Sequence, residues 1–571
     1  MIQFQNENKI DNDIKNLEKK CKIISFIRLI LALNLILWVL CLLSLKEYVL
    51  YGILSAVSFI VILVFIFLTN KFFKELNLKR KMKDVYKLHH KRRNNDMIGF
   101  LDEGRDFIDK NNYKISDLDI FGSHSLFQYL TVCKTKPGRL KFAKELISPD
   151  KHNDDYTKCI DTLGSNEETL ALEASLHEFK DSAKNINYDE FKIVIKQKIN
   201  FVLQYFIPFI TFIGVWVLFI LMFTIKLNPL FFILGLIANY SLCKIFLTNP
   251  IFELDSFKYY ELCDAYLHLC DSIISYQTDD LYFNNLKNVI KNKYESLKKL
   301  RGVYLSLSTR KNAIANIILN ALFSYDFFMI AYYNKASNNI LELDDLFDSI
   351  AELECMMSFA NLKIDNEVTS IPEISNEMRC VGIYHPLVKN CVSNDFSLNG
   401  GVVLTGSNMS GKTTFMRTLA INQILFNARS IVCAERFSSY DMKIFTSLRA
   451  NDMLSEGIST FYAEILRMKE MNEAIKSNKC LILVDEIFKG TNALERISAS
   501  KKVISKFNDY NQNFIISTHD FELCDTPNIL NYHFNEDYDE ENKITFDYKI
   551  KKGKCVSTNA LYLLKASGII E

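Results

Sequence analysis

Four long runs of apolar residues constrain the fold of this chain more than any other feature. They are Ile24–Ser44, Tyr48–Thr69, Phe201–Ile225 and Leu227–Cys243. A helix needs about 20 apolar residues, each rising about 1.5 Å, to cross the hydrocarbon core of a bilayer, so the first three runs are long enough and the fourth nearly so. Within each pair the connection is short, Leu45–Glu47 in the first and Lys226 in the second. The sequence therefore predicts two helical transmembrane hairpins.

Two other interpretations of these runs fit less well. Core helices of a large soluble protein are also apolar, but uncharged stretches as long as the second and third runs are typical of membrane spans. A cleaved signal peptide does not fit the first run, which lacks a small-residue cleavage site and is followed at once by a second apolar run.

Basic residues flank the apolar runs on one side only. Ten Lys and Arg residues lie between Lys71 and Arg93, whereas the connecting turns hold only Lys46 and Lys226. Because cytoplasmic flanks carry the excess of Lys and Arg, this distribution predicts a multi-pass cell-membrane protein with four spans, both termini being cytoplasmic. The basic run suits an anionic lipid bilayer, and a nucleic-acid patch is the alternative for Lys79–Arg93.

Taken as a whole, the chain is nearly neutral and poor in turn residues. Its 571 residues include 18 Gly and 8 Pro, and 68 basic residues balance 67 acidic ones. So few turn residues argue against a many-stranded all-β protein, and the balanced charge gives no bulk attraction to nucleic acid. The 14 cysteines form no C-x-x-C pair, which is typical of reduced thiols in the cytosol. Residues 96–200 and 250–370 have helical spacing and predict a packed helical scaffold.

The first functional motif follows an apolar stretch at Gly401–Thr405. It is Gly406-Ser407-Asn408-Met409-Ser410-Gly411-Lys412-Thr413, and Thr414–Phe426 continues with helical spacing. This is the G-x-x-x-x-G-K-[ST] pattern, whose backbone N–H groups surround phosphates between a strand and a helix. Lys412 is expected to contact the β- and γ-phosphates of ATP, and the Thr413 hydroxyl to ligate Mg²⁺. Nucleotide binding is thus predicted for Gly406 to Thr414.

Two more apolar stretches bring ionisable residues that complete a hydrolytic site. Cys480–Val484 is typical of a buried parallel strand and ends in Asp485 and Glu486, while Phe514–Ser517 is a third strand that leads to His519. Asp485 is expected to hold Mg²⁺ together with Thr413, and Glu486 to act as general base on the attacking water. His519 is expected beside the γ-phosphate or that water. The predicted catalytic residues are Glu486, His519 and Lys412.

A fourth element is the pair Ser459 and Thr460, which precedes a helical pattern containing Glu464. Both residue types are good helix N-caps, and that is the simpler interpretation. The alternative is a signature segment that reaches the γ-phosphate bound by a neighbouring subunit.

Together these residues resemble the ATPase domain of the MutS family, within the wider ABC class. The similar stretches are T-G-S-N-M-S-G-K-T-T-F-M-R (405–417), G-I-S-T-F-Y-A-E (457–464), D-E-I-F-K-G-T (485–491) and S-T-H-D-F-E-L (517–523). Gly122–Pro149 is similar to the opening of the family's helical lever domain, and Leu564–Gly568 to its C-terminal pattern. The resemblance implies a Mg²⁺-dependent ATP hydrolase that forms a homodimer through its ATPase domains, with Ser459 and Thr460 acting in trans.

The chain departs from the family at several positions. Apolar runs stand where the family carries its mismatch-reading domains and its DNA clamp. An aromatic residue usually packs the adenine upstream of the phosphate loop, where this chain has Cys391–Asn394. Phe488 and Lys489 replace a glycine and an arginine, and Ser447 and Arg449 replace an arginine and a glycine. The resemblance therefore implies ATP binding and hydrolysis but not mismatch recognition.

The predicted protein is multi-domain, with α-helical transmembrane hairpins, a helical lever domain and a C-terminal α/β P-loop ATPase domain of the ABC/MutS type. The predicted boundaries are 1–95 for the first hairpin (spans about 24–44 and 48–69) with a basic stalk, 96–200 and 249–372 for the lever, 201–248 for the inserted hairpin and 373–571 for the ATPase domain.

Three functions are compatible with this organisation. The first is a membrane-anchored ATPase in which closure of the ATPase domains moves the levers and the hairpins, with DNA binding possible but not mismatch-specific. The second is a clamp that tethers DNA to the membrane under control of ATP. The third is an ATP-driven transporter, which is disfavoured because the spans hold few polar residues beyond Arg28, Asn34, Gln204 and Asn239.

Overall fold

The computed structural model describes most of the chain. The described residues are 4, 7–44, 48–109, 112–179, 201–246, 256–309, 312–329, 332, 343–407, 409–449, 460–488, 491–538 and 544–555. Helices make up the N-terminal part, and an α/β region begins at about residue 373. This order of a helical region followed by an α/β region confirms the predicted fold class at that level.

The first two helices are much longer than the apolar runs that they contain. Helix α1 spans Glu7–Ser44, α2 spans Tyr48–Arg93, and the two pack side by side. In the described part of the chain, Glu7–Cys41 and Ile53–Arg93 are the two helices long and apolar enough to cross a membrane, judged by length and composition. None of the side chains in their most apolar windows is buried. The outward-facing apolar surface is consistent with the predicted first hairpin.

The charged halves of these helices, residues 7–22 and 71–93, form a two-helix stalk. Three Lys or Arg side chains form ion pairs between them, namely Lys79–Asp13 at 3.1 Å, Arg80–Glu18 at 2.7 Å and Lys83–Asp11 at 2.6 Å. The basic run that was expected to face lipid or nucleic acid is therefore partly neutralised by acidic residues of α1. This pairing weakens the electrostatic basis of both interpretations.

The stalk docks on the helical scaffold through a buried charge network around His89, which is fully buried. His89 Nδ1 lies 2.8 Å from Asp365 Oδ2, and its Nε2 lies 2.9 Å from Glu173 Oε2. Burial disfavours charge at both Glu173 and His89, yet the two carboxylates raise the pKa of His89, and the imidazolium lowers the pKa of Glu173 to about 2. Arg92 and Arg93 approach the same carboxylates. The end of α2 is thus fixed to the scaffold by ionic contacts.

The scaffold surrounds one long buried helix, α13, which spans Asp344–Asp365 and leads directly into the α/β region. Leu262, Ala265, Tyr266 and Leu269, whose spacing places them on one face of a helix, are all buried. The other scaffold helices are α3 Tyr113–Asp117, α4 Leu126–Leu130, α5 Lys136–Ile147, α6 Asp154–Ser165, α7 Thr169–Leu176, α10 Ser256–Ser275 and α11 Leu281–Thr309. Ser125, Thr135 and Asn153 cap α4, α5 and α6 by accepting a backbone N–H bond.

A second group of apolar helices, here called the apolar cluster, contains α8 (Phe201–Thr224), α9 (Pro229–Phe246) and α12 (Ala313–Phe323). Helices α8 and α9 form the hairpin that the sequence predicts, and α12 packs against both of them. Over the residues whose side chains are described, all three are shorter than the helices of the first hairpin. The four predicted spans therefore stay a prediction, and α12 is an addition that the sequence analysis missed.

The α/β region contains a six-stranded sheet in the order β12-β9-β4-β8-β7-β6 and a four-stranded sheet in the order β1-β5-β2-β3. Only β12 is antiparallel to its neighbour in the larger sheet. Its strands are β4 Gly401–Thr405, β6 Lys443–Ser447, β7 Cys480–Asp485, β8 Asn513–Ser517, β9 Ile529–Phe534 and β12 Ile550–Lys552. The three strands predicted from the sequence are confirmed as β4, β7 and β8, and their carboxyl ends meet at one edge.

The remaining elements of this region complete its two layers. The smaller sheet contains β1 Glu373–Ile374, β2 Met378–Ile383, β3 Asn394–Leu398 and β5 Arg436–Ser439, and β10 Asp537–Tyr538 pairs with β11 Ile544–Thr545. The helices are α14 Lys412–Asn427, α15 Thr460–Ala474 and α16 Ala493–Asp509. Strands β4 and β8 are buried along their whole length, as expected for parallel strands covered on both faces.

Candidate nucleotide site

The glycine-rich segment forms a tight loop between β4 and α14. Gly406 has φ 141° and Gly411 has φ 102°, values that side-chain-bearing residues rarely adopt. A Cβ on Gly406 would stand 2.8 Å from the carbonyl oxygen of Phe534, so no larger residue fits there without backbone movement. Ser410 closes the loop by donating from its hydroxyl to the carbonyl oxygen of Ser407 at 2.8 Å. The strand–loop–helix context expected for phosphate binding is therefore present.

Lys412 lies at the start of α14 with only 5% of its surface exposed. Its Nζ donates to the carbonyl oxygens of Gly406 and Ser407, each at 2.6 Å. Burial lowers the pKa of Lys412, and the nearby carboxylates of Asp485 and Glu486 oppose that shift. The ammonium group is thus held inside the loop, where its charge is poorly screened by solvent.

Asp485, at the end of β7, is held by hydroxyl groups from two other elements. Thr413 Oγ1 donates to Asp485 Oδ2, and Ser517 Oγ donates to Asp485 Oδ1, both at 2.7 Å. Ser517 is the residue directly opposite Asp485 in the pairing of β7 with β8. This role of Ser517 was not predicted, although its position at the end of the strand before His519 was a usable signal.

The donor set around Asp485 fits Mg²⁺. One carboxylate and one hydroxyl oxygen lie side by side, and Mg²⁺ is usually held by one or two carboxylates together with waters and substrate phosphates. Within the described ranges no group of three or more His, Cys, Asp or Glu side chains could hold a metal ion. One carboxylate and one hydroxyl oxygen are thus the ligands that the chain would contribute to a magnesium ion shared with substrate phosphates.

Glu486 and His519 face each other beside this carboxylate. His519 Nε2 lies 3.4 Å from Glu486 Oε1, and both side chains are partly exposed. Glu486 has φ 54°, and its N–H donates to the carbonyl oxygen of Ser517 at 2.9 Å. A non-glycine residue in this left-handed region is uncommon, and here the turn directs Glu486 out of the sheet edge.

The segment after His519 is anchored by a bidentate ion pair that the sequence analysis did not identify. Arg496 Nε and Nη2 of α16 donate to the two carboxylate oxygens of Asp520, each at 2.7 Å. Two parallel bonds of this kind fix orientation as well as distance. The pair therefore restrains the backbone next to His519.

An aromatic side chain reaches the phosphate loop from an unexpected part of the chain. The Tyr548 ring lies against Gly411, since a Cβ on that glycine would stand 3.2 Å from Tyr548 Cδ1. Asn394 Nδ2 donates to the carbonyl oxygen of Tyr548 at 3.0 Å, and Asn394 Oδ1 accepts from the N–H of Ile550 at 2.8 Å. The segment Cys391–Asn394, which has no aromatic residue, thus positions one supplied by the C-terminal part of the chain.

Some predicted residues lie at the margin of the site or outside the described residues. Met409 is 78% exposed, and Thr414 is exposed on the first turn of α14. Asn408 and Ser459 lie outside the described residues, as do Lys489 and Leu564–Gly568. Thr460 is the first residue of α15, and the position of its side chain is not described. The trans role of Ser459 and Thr460 therefore stays a prediction.

The scaffold contacts this region at the end of α3 and at the turn that follows it. Asp119 accepts from Arg449 Nη2 at 2.7 and 2.9 Å and from Arg417 Nη1 of α14 at 3.3 Å. Asp117 Oδ2 accepts from the N–H of Leu448 at 3.0 Å. The helix that carries Lys412 and the end of β6 are thus joined to the same turn of the scaffold.

Comparison with known proteins relates the C-terminal part of the chain to MutS. The family model of MutS domain V matches residues 402–570. The chain is 29% identical over 266 residues to a DNA mismatch repair protein MutS from Alkaliphilus metalliredigens, and the alignment covers 43% of this chain and 30% of that protein. It is 28% identical over 308 residues to a DNA mismatch repair protein MutS from Geobacillus kaustophilus, and that alignment covers 50% of this chain and 34% of that protein. The alignments span about a third of each relative.

Proposed function

We propose that this protein is a membrane-anchored, MutS-like ATPase that uses ATP hydrolysis to switch between two conformations. The observation that carries the proposal is the convergence of Lys412, Thr413, Asp485 and Glu486 at one edge of the larger sheet. It is supported by the match of residues 402–570 to MutS domain V. Phosphate binding, metal binding and activation of water require these residue types in this arrangement.

In the proposed reaction the γ-phosphoryl group of ATP is transferred to water. Backbone N–H groups of the loop and Lys412 bind the phosphates, because the buried ammonium interacts strongly with negative charge. Thr413 and Asp485 would hold Mg²⁺, which neutralises charge on the β- and γ-phosphates when bound. Glu486 accepts a proton from the attacking water, and His519, 3.4 Å away, orients the Glu486 carboxylate.

Tyr548 is proposed to pack against the adenine. The ring lies at the N-terminal end of α14, and 44% of its surface is exposed, so one face is available to a planar ligand. Aromatic stacking of this kind tolerates changes in the base. This assignment replaces the upstream aromatic residue that the sequence lacks.

Two ATP molecules are proposed to lie between the α/β regions of a homodimer, with Ser459 of each subunit facing the nucleotide of the other. Closure would move the scaffold through Asp119, which contacts both Arg417 and Arg449. The scaffold would pass this movement to the membrane hairpin through the His89 network, since α2 is continuous from Tyr48 to Arg93. Closure of the α/β regions is thus the change between the two states, and the contacts of Asp119 and His89 would transmit it from the phosphate loop to the bilayer.

DNA binding is the second candidate function, because both relatives are named DNA mismatch repair proteins. The ion pairs within the stalk remove part of the positive charge that DNA would contact. Stimulation of ATP turnover by DNA is therefore one outcome of the test that follows, and DNA binding is not part of the leading proposal.

The test is ATP turnover by the purified chain reconstituted in lipid vesicles, with and without duplex, branched and single-stranded DNA. Turnover that is lost in Lys412→Ala supports the proposed ATPase. Stimulation by any of the DNAs at about 50 mM salt would favour the clamp, and an absence of turnover with retained folding would refute the proposal.

A further inference from the structure

The apolar cluster contains one helix too short to cross a membrane. Helix α12 spans 11 residues, about 16 Å at the usual rise, or roughly half of a hydrocarbon core of about 30 Å. Its outer face is apolar, with Ile314 71% exposed and Ile317 and Ile318 each 50% exposed. Helix α12 packs against α8 and α9, which also carry exposed apolar side chains, and in water these side chains together would form an unfavourable patch.

The carboxyl end of α12 is hydrogen-bonded in a way that an aqueous helix does not require. Asn239 of α9 is buried, and its Nδ2 donates to the carbonyl oxygens of Asn320 and Ala321 at 3.1 and 2.9 Å. Ser324 Oγ donates to Asn239 Oδ1 at 3.0 Å. In hydrocarbon no water is available for the last carbonyls of a helix, so a neighbouring helix must supply the donors.

The chain turns back at the end of α12. Ser324 has φ 48°, which ends the helix, and residues 325–329 form a further helical turn. The ring of Phe323 contacts Trp216 of α8 at 5.9 Å, whereas the ring of Phe328 contacts Phe212 at 5.8 Å. Phe212 lies about one helical turn nearer to the start of α8, so the chain after Ser324 moves back toward the side from which α8 begins.

Trp216 and Asn239 lie at similar distances along their helices from the connection between α8 and α9. Trp216 lies eight residues before Thr224, about 12 Å from the end of α8, and Asn239 lies ten residues after Pro229, about 15 Å from the start of α9. Both positions fall near the middle of a bilayer that the hairpin would cross. An 11-residue helix entering from the other face ends at that depth.

The flanking charges place both ends of this segment on one side. Arg310 and Lys311 precede it, the next basic residue is Lys335, and Asp326 is the only acidic residue between them. Basic residues at both ends are typical of the cytoplasmic face.

We infer that residues 312–329 form a re-entrant membrane segment whose surface at Ile314, Ile317 and Ile318 contacts the acyl chains of a lipid bilayer. The segment enters beside α9, ends its helix near the midplane against Asn239, and returns to the face from which it came. This inference rests on the proposed membrane position of α8 and α9.

The experiment uses single cysteine substitutions in the full chain, reconstituted in vesicles of phosphatidylcholine and phosphatidylglycerol. Ile318→Cys tests α12, Ile237→Cys tests α9, and Leu140→Cys on α5 is the matched water-exposed control, since these three side chains are 50%, 57% and 51% exposed. A membrane-impermeant maleimide is added, and labelling of each peptide is measured by mass spectrometry. Leu140→Cys also reports the fraction of molecules whose scaffold faces outward.

We expect Ile318→Cys and Ile237→Cys to be labelled at least tenfold more slowly than Leu140→Cys. Labelling of Ile318→Cys within twofold of the control, with Ile237→Cys still protected, would overturn the re-entrant segment alone. Rapid labelling of both would instead refute the membrane position of the hairpin.

A second pair of variants tests the hydrogen bonds of Asn239. In the Ile318→Cys background, Asn239→Leu is expected to increase labelling several-fold, because the end of α12 loses its donors and leaves the bilayer. Asn34→Leu, the same change at an exposed position on α1, is expected to leave labelling unchanged. Equal labelling in the two variants would contradict the role of Asn239.

Discussion

Ser517→Ala removes a hydroxyl group that holds the proposed magnesium ligand. Ser517 is fully buried, and its Oγ donates to Asp485 Oδ1 at 2.7 Å. A hydrogen bond to a charged group contributes about 1.5–3 kcal/mol, and its loss leaves one carboxylate oxygen of Asp485 with one donor fewer. Asp485 would then be held by Thr413 alone, so we also expect a higher Mg²⁺ concentration to be needed for half-maximal ATP turnover.

Ser500→Ala is the matched control for this change. Ser500 on α16 is also fully buried, but its Oγ has no hydrogen-bond partner within the described part of the chain. Removing an unsatisfied buried hydroxyl is expected to be neutral or slightly stabilising.

The assay is calorimetric unfolding, following the transition that ATP with Mg²⁺ shifts upward, since ligand binding identifies the unfolding unit that contains the site. A loss of about 1.5–3 kcal/mol lowers the Tm of a unit of 150–250 residues by about 3–12 °C. Equal Tm values for Ser517→Ala and Ser500→Ala would refute the argument that Ser517 stabilises Asp485.

Three further predictions concern the adenine, the junction and the stalk. Tyr548→Ala should raise the KM for ATP about 2- to 12-fold through lost stacking on the adenine. Tyr510 is exposed to a similar degree, and Tyr510→Ala should leave the KM unchanged. Equal KM values for the two variants would refute the adenine assignment. Asp119→Asn should lower kcat about 2- to 30-fold. Asp441→Asn, which breaks an Arg–Asp pair between two residues of the α/β region, should leave kcat unchanged, and equal kcat values for the two variants would exclude coupling through Asp119. The pKa of His89 is raised in the folded state, so the stability that its charged form contributes is fully present below pH 6.5, the ordinary pKa of histidine. That stability is lost as the pH rises through the folded-state pKa of His89. The Tm of the wild type should therefore fall over that pH range more than the Tm of His89→Gln. Parallel Tm profiles would contradict this.

Short-range patterns predicted the α/β part of the protein well. The strands that carry the phosphate loop, Asp485 and His519 were predicted because parallel buried strands are continuous apolar stretches, and the motif residues follow each strand directly. Their arrangement at one sheet edge follows from the order β4-β8-β7. The helical nature of the remainder followed from the scarcity of Gly and Pro.

The features that were missed depend on residues far apart in the chain. Tyr548 reaches Gly411 across more than a hundred residues, and no local pattern distinguishes it from other tyrosines. The pairing of Lys83 with Asp11 requires α1 and α2 to be antiparallel, a consequence of the hairpin that was not used to assess the basic run.

Helix α12 was missed for a different reason. Asn316 and Asn320 interrupt its apolar pattern and Ser324 ends it, so it has no run of the length expected for a span. The absence of basic residues between Lys311 and Lys335 was the signal available in the sequence. That signal can be interpreted only with the structure, in which Asn239 donates hydrogen bonds to the last carbonyl oxygens of the helix.

The most direct test of the central claim is a paired measurement of ATP binding and phosphate release by the wild type and Glu486→Gln, reconstituted in vesicles. Glutamine preserves the shape of the side chain but cannot accept the proton of the attacking water. The account predicts that Glu486→Gln binds ATP with Mg²⁺ as tightly as the wild type, while phosphate release falls about 10²- to 10⁴-fold, the usual contribution of a general base. Phosphate release by Glu486→Gln at the wild-type rate would contradict the account.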